Sequence, residues 1–267
     1  MFGEVDAMKY GFIGCGNMGG AIAKALSQST RDIVLTDRSG KGRQLAETLG
    51  VRYGSSDEAA GCQRIFLGVK PQQMAAVLEQ LQPILQKNKP VLISMAAGLE
   101  VNSICAMAGG NIPVIRIMPN TPVAVGNGVI LYCCNNLVTE DILADTLNDL
   151  TFAGLLDRVD ESWMDAACCV SGCGPAYAYM FLEALAQGGI NWGVPKEQAL
   201  QYAAATLSGA AQMVMETGED PLSLRDKVCS PGGSTIEGVK VLDSHSFRET
   251  VTDCIAAAYR RNKELGK

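Results

Sequence analysis

The amino-acid sequence predicts an α/β fold: a doubly wound, mostly parallel sheet followed by an all-α C-terminal domain. Three observations carry this reading. Short β-rich runs alternate with helical patterns as far as Tyr132. The first run ends in a Gly-x-Gly-x-x-Gly turn, Gly14 to Gly19. Beyond about residue 160 the β-branched runs vanish and long Ala/Met/Leu-rich segments replace them. The 267 residues suit two domains of the usual ~100–200 residues. The expected division is residues 1–160 for the sheet domain and 161–267 for the helical one.

Residues 9–13, Lys-Tyr-Gly-Phe-Ile, form the first strand and run into the glycine turn. A helix follows from about Met18 to Ser27, with Ala, Ile, Ala and Leu on one face. Ile33-Val34-Leu35 reads as the second strand, and further strands are expected over 64–69, 91–95, 113–117 and 128–132. Such runs, separated by helical patterns, describe a sheet covered by helices on both faces. Helices are then expected over 161–188, 195–216 and 247–265. The middle one, Ala203 to Met215, is apolar almost all round and must be buried on most sides. A domain of ~100 residues has little interior to offer it, which points to a subunit interface.

Bulk properties exclude several function classes. The net charge is −6 and the pI about 4.9, a poor match to nucleic-acid binding, which relies on basic patches. An anionic ligand must therefore be held locally, by backbone N–H groups and a few placed cations. Ten cysteines are spread without a C-x-x-C pair, and His245 is the one histidine, so the usual Cys/His zinc sets cannot be assembled and no metal is expected. The thiols read as reduced, small core residues of a cytoplasmic protein. Met1 to Ala7 carries two acids and no apolar run, so no secretory signal is expected, and Met8 offers a second start. No stretch reads as a membrane span: the windows 117–139 and 166–182 are broken by Gly, Pro, Asn or Ser.

In the turn Gly14-Cys15-Gly16-Asn17-Met18-Gly19 each glycine has a use: a tight turn, close approach of a pyrophosphate, and close helix–strand packing. The N–H groups of the following helix face the phosphates. This context, at the head of a βαβ unit, predicts a Rossmann dinucleotide site. Asp37 and Arg38 end the second strand and pull in different directions. An acid there accepts the ribose hydroxyls of NAD, whereas an arginine pairs with the 2′-phosphate of NADP. With Ser39 and Gly40-Lys41-Gly42-Arg43 adding donors and charge, NADP(H) is preferred and NAD(H) is the alternative. Val69-Lys70-Pro71 ends another strand on the ligand-binding edge, where the lysine is a candidate contact. Met95-Ala96-Ala97-Gly98 either lets a nicotinamide lie flat or is a plain loop, and Arg116 to Pro122 ends the next strand in a rigid polar loop.

A second glycine-rich turn, Ser230-Pro231-Gly232-Gly233-Ser234-Thr235, enters a helix in the C-terminal domain. Its N–H groups and helix dipole suit an anion, and a carboxylate fits better than a phosphate because the G-K-[ST] ending is missing. Thr235 serves either as a helix cap or as a catalytic contact. A third turn, Ser171 to Tyr177, contains Cys173, which reads as helix packing rather than a nucleophile because no histidine lies near it in sequence. His245 reads as a surface loop residue.

These pieces resemble the pyrroline-5-carboxylate reductases, over about residues 9–265. The matching segments are Gly11 to Met18, Val69-Lys70-Pro71, Ala96-Ala97-Gly98, Met118 to Pro122, Ser171 to Tyr177 and, most specifically, Asp226 to Thr235 running on to Val241-Leu242-Asp243. The resemblance implies reduction of 1-pyrroline-5-carboxylate to L-proline, and a homodimer through the helical domain or a larger ring such as a decamer. It places the cofactor on Ile13, Gly14, Cys15, Gly16, Asn17, Met18, Arg38, Ser39, Ser55, Val69, Lys70, Pro71, Met95, Ala96 and Ala97. It places the substrate carboxylate on the N–H groups of Gly233, Ser234 and Thr235, with the Thr235 hydroxyl as the catalytic contact facing the imine nitrogen. Cys173 stands where serine is commoner, and Glu219 is taken as the acidic substrate contact.

Two other readings share parts of the pattern. A β-hydroxy-acid dehydrogenase of the same plan needs a lysine acid in the helical domain, and Lys196 and Lys227 do not sit in a matching helix face. A nucleotide-sensing regulator without turnover is disfavoured by the intact 230–235 turn.

Overall fold

Strands buried on both faces of a sheet must be apolar throughout, and the first run meets that demand. In the computed structural model, which describes residues 8–265, β1 (Tyr10–Ile13) is wholly buried. It is flanked by β2 (Ile33–Thr36) on one side. Further along the chain come β3 (Arg52–Tyr53), β4 (Arg64–Leu67), β5 (Val91–Ser94), β6 (Val114–Pro119), β7 (Gly128–Cys134) and β8 (Gly154–Arg158). The eight strands form one sheet in the order β3-β2-β1-β4-β5-β6-β7-β8. The chain reverses its direction of growth between β1 and β4, the place where such sheets bind ligands. Residues 1–7, which precede the second start offered at Met8, lie outside the described residues, as do the outer ends of the two expected domains.

Helices cover both faces: α1 (Asn17–Leu26), α2 (Lys41–Leu49), α3 (Ser56–Ala60), α4 (Pro71–Asn88), α5 (Val101–Met107) and α6 (Glu140–Asp149). One apolar layer contains Met74, Leu78 and Leu85 of α4 against Ile65 and Leu92, and the other contains Ile22 and Leu26 of α1 against Phe12 and Ile93. Phe12 and Phe66 stack at 4.4 Å between β1 and β4.

The sheet departs from the expected pattern in its far half. β6 and β7 pair antiparallel, with Ile117 opposite Tyr132. Their connection is a single 3₁₀ turn, Thr121–Val125, too short for the crossover that parallel neighbours need. β8 then pairs parallel to β7 as an exposed edge. Neither β3, with two residues, nor β8 stood out in the sequence.

The chain forms two compact units. The first contains the sheet, ends at Cys173 and takes up the chain again at Ala258; the second is Gly174–Ala257. Thus α7 (Glu161–Ser171) belongs with the sheet. The reasons are apolar, since Met164 and Cys168 of α7 join the layer that contains Leu92 and Leu131, and electrostatic. Arg116 on β6 is 1 % exposed and pairs with Glu161 at 3.2 Å and Asp165 at 2.7 Å, both on α7. Glu161 also accepts the Val101 N–H at the start of α5, at 2.8 Å. Asn120 adds a bond to the Ser171 carbonyl at 2.9 Å, and Lys263 reaches Asp165 at 3.3 Å.

The second unit is helical: α8 (Gly174–Asn191), α9 (Lys196–Thr217), α10 (Pro221–Val228), α11 (Ser234–Ser244) and the first part of α12 (Phe247–Leu265). α8 and α9 make a helical hairpin whose turn uses Gly193 at φ +91°. Its described core is small, Ala186, Ala199 and Ala203 with Leu182, Ile190 and Val194 beside them. Most of α9 beyond Ala203 is exposed in the single chain, and so are Met180, Trp192 and Tyr202, which leaves the expected subunit interface as the place for its apolar faces to be covered. All ten cysteines are free thiols. Among the described residues no helix is long and apolar enough to cross a membrane.

Candidate active site

Ile13, Thr36 and Leu67 stand side by side in register, so β1, β2 and β4 end at one level. The loops that follow them enclose a cleft of about 600 Å³. Its floor is the glycine turn. Gly14 sits at φ +99°, and a Cβ there would lie 2.7 Å from the Gly68 carbonyl carbon. A Cβ on Gly19 would lie 2.3 Å from the Gly14 oxygen. Both positions are therefore dictated by the protein's own backbone. Gly16 is different: a Cβ there would meet nothing within 4 Å, and φ is an ordinary −67°. No internal packing requires a bare backbone at Gly16, and the residue lines the cleft. Gly16 is also the N-cap of α1 and offers no side-chain cap, so the first-turn N–H groups of that helix have no side-chain partner from the cap residue.

The cleft wall is formed by Asp37, Arg38 and Ser39 after β2, and by Gly68, Val69 and Lys70 after β4. Arg38 is exposed and has no partner among the described residues. Asp37 is fully engaged. Its carboxylate accepts from the Ser39 N–H and hydroxyl, from the Gly42 N–H at 3.0 Å and from the Tyr53 hydroxyl at 3.4 Å. Partial burial would raise this carboxyl, but these donors outweigh it and hold it below the ordinary range. Cys15 is buried, and its thiol donates to the Thr36 carbonyl at 3.5 Å. Burial, reinforced by Asp37, pushes that thiol up to about 12, so it stays neutral near pH 7.

In the helical unit, the 230–235 turn has Gly232 at φ +72°. Gly233 caps α11, and a Cβ on it would lie 2.6 Å from the Ser230 hydroxyl. The Gly233 N–H donates to the Ser230 carbonyl at 3.0 Å and closes the turn. Ser234 and Thr235 begin the helix, so their N–H groups precede the first intrahelical bonds and are open donors. Thr235 is exposed and lies inside the first turn, which removes its reading as the cap.

Known proteins resemble this chain over both of its regions. Residues 161–265 match the family model described as pyrroline-5-carboxylate reductase dimerisation, and residues 9–98 match that described as NADP oxidoreductase, coenzyme F420-dependent. The pyrroline-5-carboxylate reductase of Escherichia coli is 37% identical over 97% of this chain and 98% of its own length. The chain belongs to the pyrroline-5-carboxylate reductase family. The Pisum sativum reductase is 38% identical over 97% of both chains. Among solved structures, a Plasmodium falciparum pyrroline carboxylate reductase with NADP bound superposes with a TM-score of 0.89, at 31% identity, over 98% of this chain and 99% of that one. A Coxiella burnetii pyrroline-5-carboxylate reductase gives 0.86 at 33% identity, over 98% and 100%.

In this pyrroline-5-carboxylate reductase family member, Ile13, Gly14, Cys15, Gly16, Arg38, Ser39, Val69 and Lys70 line the cleft together. Asn17, Met18 and Pro71 fall outside the cleft lining: Asn17 and Met18 open α1 after Gly16, and Pro71 opens α4 after Lys70. Ser55 is the cap of α3: its hydroxyl accepts the Glu58 N–H at 3.2 Å, while Glu58 returns a bond to the Ser55 N–H at 2.7 Å. Its neighbour Ser56 faces the cleft instead. Met95, Ala96 and Ala97 follow β5 and lie outside the cleft lining, with Ala96 buried. Glu219 is paired with Lys227, which also occupies one of the two lysines considered as a proton donor. Cys173 closes α7 through its N–H to the Cys168 carbonyl at 3.2 Å, a packing role. His245 ends α11 with Nδ1 against the Val241 carbonyl at 2.9 Å. The sequence reading missed Gln72, Gln73 and Gln80 of α4 as cleft residues; their signal was a polar face following Lys70-Pro71.

Proposed function

We propose that this chain reduces 1-pyrroline-5-carboxylate to L-proline with NADPH. The observation that carries the reading is Gly16: its bare backbone is unexplained by packing, faces the cleft and caps a helix without a side chain. That is the requirement of a pyrophosphate. The exposed Arg38, on the cleft wall, fits a 2′-phosphate bidentately. Ile13 to Met18, Arg38, Ser39, Val69, Lys70 and Pro71 hold the dinucleotide. Met95, Ala96 and Ala97 flank its nicotinamide half, and Ser55 acts through its place at the start of α3.

Bound NADPH supplies one hydride, which goes to the imine carbon. The substrate arrives with its nitrogen protonated, so the positive nitrogen takes the C=N π electrons and becomes a neutral secondary amine. No strong protein acid is needed, which suits a chain with a single, exposed histidine. The substrate carboxylate lies on the open N–H groups of Ser234 and Thr235, with Gly233 holding the turn. The Thr235 hydroxyl accepts from the imine N–H and orients the ring. Glu219 contacts the substrate after exchanging Lys227 for it. The chain works as a homodimer through its helical region, with a ring such as a decamer as the larger assembly, in the cytoplasm. By function the chain divides into a dinucleotide region, 1–160, and a substrate and dimerisation region, 161–267, although α7 and the end of the chain belong to the compact unit that contains the sheet.

Mixing the protein with 1-pyrroline-5-carboxylate and NADPH and following the nicotinamide absorbance tests the reading; absence of turnover would overturn it. Thr235→Ala is expected to lower kcat roughly tenfold or more, the scale of one lost hydrogen bond to a charged group. An unchanged kcat/KM would remove Thr235 from the mechanism.

A further inference from the structure

We propose that Asp37 is a positioning residue for cofactor selectivity: its carboxylate caps α2 and holds the 38–42 turn so that Arg38 faces the cleft, and it is thereby withheld from a ribose diol. The inference rests on the reading that the cofactor is NADP(H).

An acid at the end of the second strand ordinarily takes the ribose 2′-hydroxyl. Here that carboxylate faces inward along its own loop. α2 begins after Gly40, which sits at φ +76° and has no side chain to cap the helix. Asp37 supplies the cap from three residues further back, accepting the Gly42 N–H at 3.0 Å. The negative charge also meets the positive end of the helix dipole. Gly42 makes this approach possible: a Cβ there would lie 2.8 Å from Oδ1 of Asp37 and 3.2 Å from Sγ of Cys15. Tyr53 of β3 closes the loop from the other side, donating to the Asp37 carbonyl at 3.1 Å, and its ring carries the Arg43 guanidinium at 4.8 Å. Ser39 turns its hydroxyl and N–H back onto Asp37. With every neighbour facing the carboxylate, Arg38 is the one side chain of the turn that lines the cleft without a partner among the described residues.

Two effects of opposite sign act on a 2′-phosphate. The carboxylate repels it, and the loop that the carboxylate holds presents Arg38 to it. The charge of Asp37 is shared among four donors, which weakens the repulsion, so positioning decides the sign.

The test uses Asp37→Ala, which removes the cap, and Gly42→Ala, which keeps the charge and displaces the carboxylate. Calorimetric titration with adenosine 2′,5′-bisphosphate and with 5′-AMP reads binding without turnover, and the KM values for NADPH and NADH read it in the reaction. Both variants are expected to lose about tenfold in affinity for the bisphosphate and in KM for NADPH, with about twofold or less for AMP and NADH. A larger loss for AMP and NADH would make Asp37 a ribose acceptor and overturn the inference. Equal losses for all four, tighter bisphosphate binding, or no change would overturn it as well. A wild-type protein that prefers the bisphosphate but fails to reduce the imine would overturn only the substrate reading.

Discussion

Replacing two glycines of one turn with alanine should give opposite results. At Gly14 an alanine must hold φ +99°, which costs about 1–2 kcal/mol for a residue with a Cβ. Its Cβ also lies 2.7 Å from the carbon and oxygen of Gly68, which are backbone atoms that cannot turn away. Overpacking of that kind costs about 1–3 kcal/mol. A total near 3 kcal/mol lowers the Tm by roughly 6–12 °C in a chain of this size. At Gly16 the added Cβ meets nothing within 4 Å. Alanine there restricts the unfolded chain, worth about 0.4–1 kcal/mol, and loses a similar amount as a poorer N-cap. The melting temperature should then stay within about 2 °C of the wild type, while the methyl stands where a pyrophosphate would touch the backbone. NADPH affinity, titrated by calorimetry, should fall tenfold or more, about 1.4 kcal/mol. A Gly16→Ala protein that keeps its NADPH Kd within about twofold would refute the reasoning, since Gly16 would then have no ligand to make room for.

The Arg116 cluster makes a prediction about order. The guanidinium is 1 % exposed, whereas the side chains of Glu161 and Asp165 are 29% and 14% exposed. Stranding the arginine with Glu161→Gln and Asp165→Asn together should cost about 3–5 kcal/mol, and Arg116→Met should cost less, because water reaches the carboxylates left behind. Urea denaturation measures both, and the reverse order would show that the carboxylates are the buried charges. The Asp37 cap predicts a pH dependence. Its carboxyl is held below its ordinary value of about 3.8, so its contribution is complete above that value and is lost as pH falls through the lower folded-state value. The stability gap between the wild type and Asp37→Ala should therefore be constant near neutrality and close below about pH 4; a gap that widens on acidification would contradict the assignment.

The glycine turn was legible because its constraints are local: a strand, a bare backbone and a helix follow one another within ten residues. The same holds for the strands around it, which are buried on both faces and so read as unbroken apolar runs. The antiparallel turn from β6 to β7 was also present in the sequence, in the short spacing from Pro119 to Gly128, but a search for alternating strands and helices passes over it. β8 escaped because an edge strand needs apolar residues on one side only, and its Asp157 and Arg158 are exposed. The place of α7 was illegible for a different reason. It depends on Arg116 meeting partners 45 and 49 residues later, and no local pattern encodes that meeting. Asp37 shows the limit most clearly. Its residue type suggested a ribose contact, and only the placement of Ser39, Gly42 and Tyr53 around it shows the carboxylate already engaged.

The described core of the helical unit consists of small alanines, while Met180 and Trp192 are 73% and 92% exposed. So little apolar burial offsets only a fraction of the chain entropy lost when some 80 residues become ordered. On the dimer proposed above, this unit completes its folding only on meeting a second copy. Its melting temperature should then rise with protein concentration, as mass action requires. In a cell, each newly made chain would pass through an interval with these side chains still bare, and the level of synthesis would set how long that interval lasts.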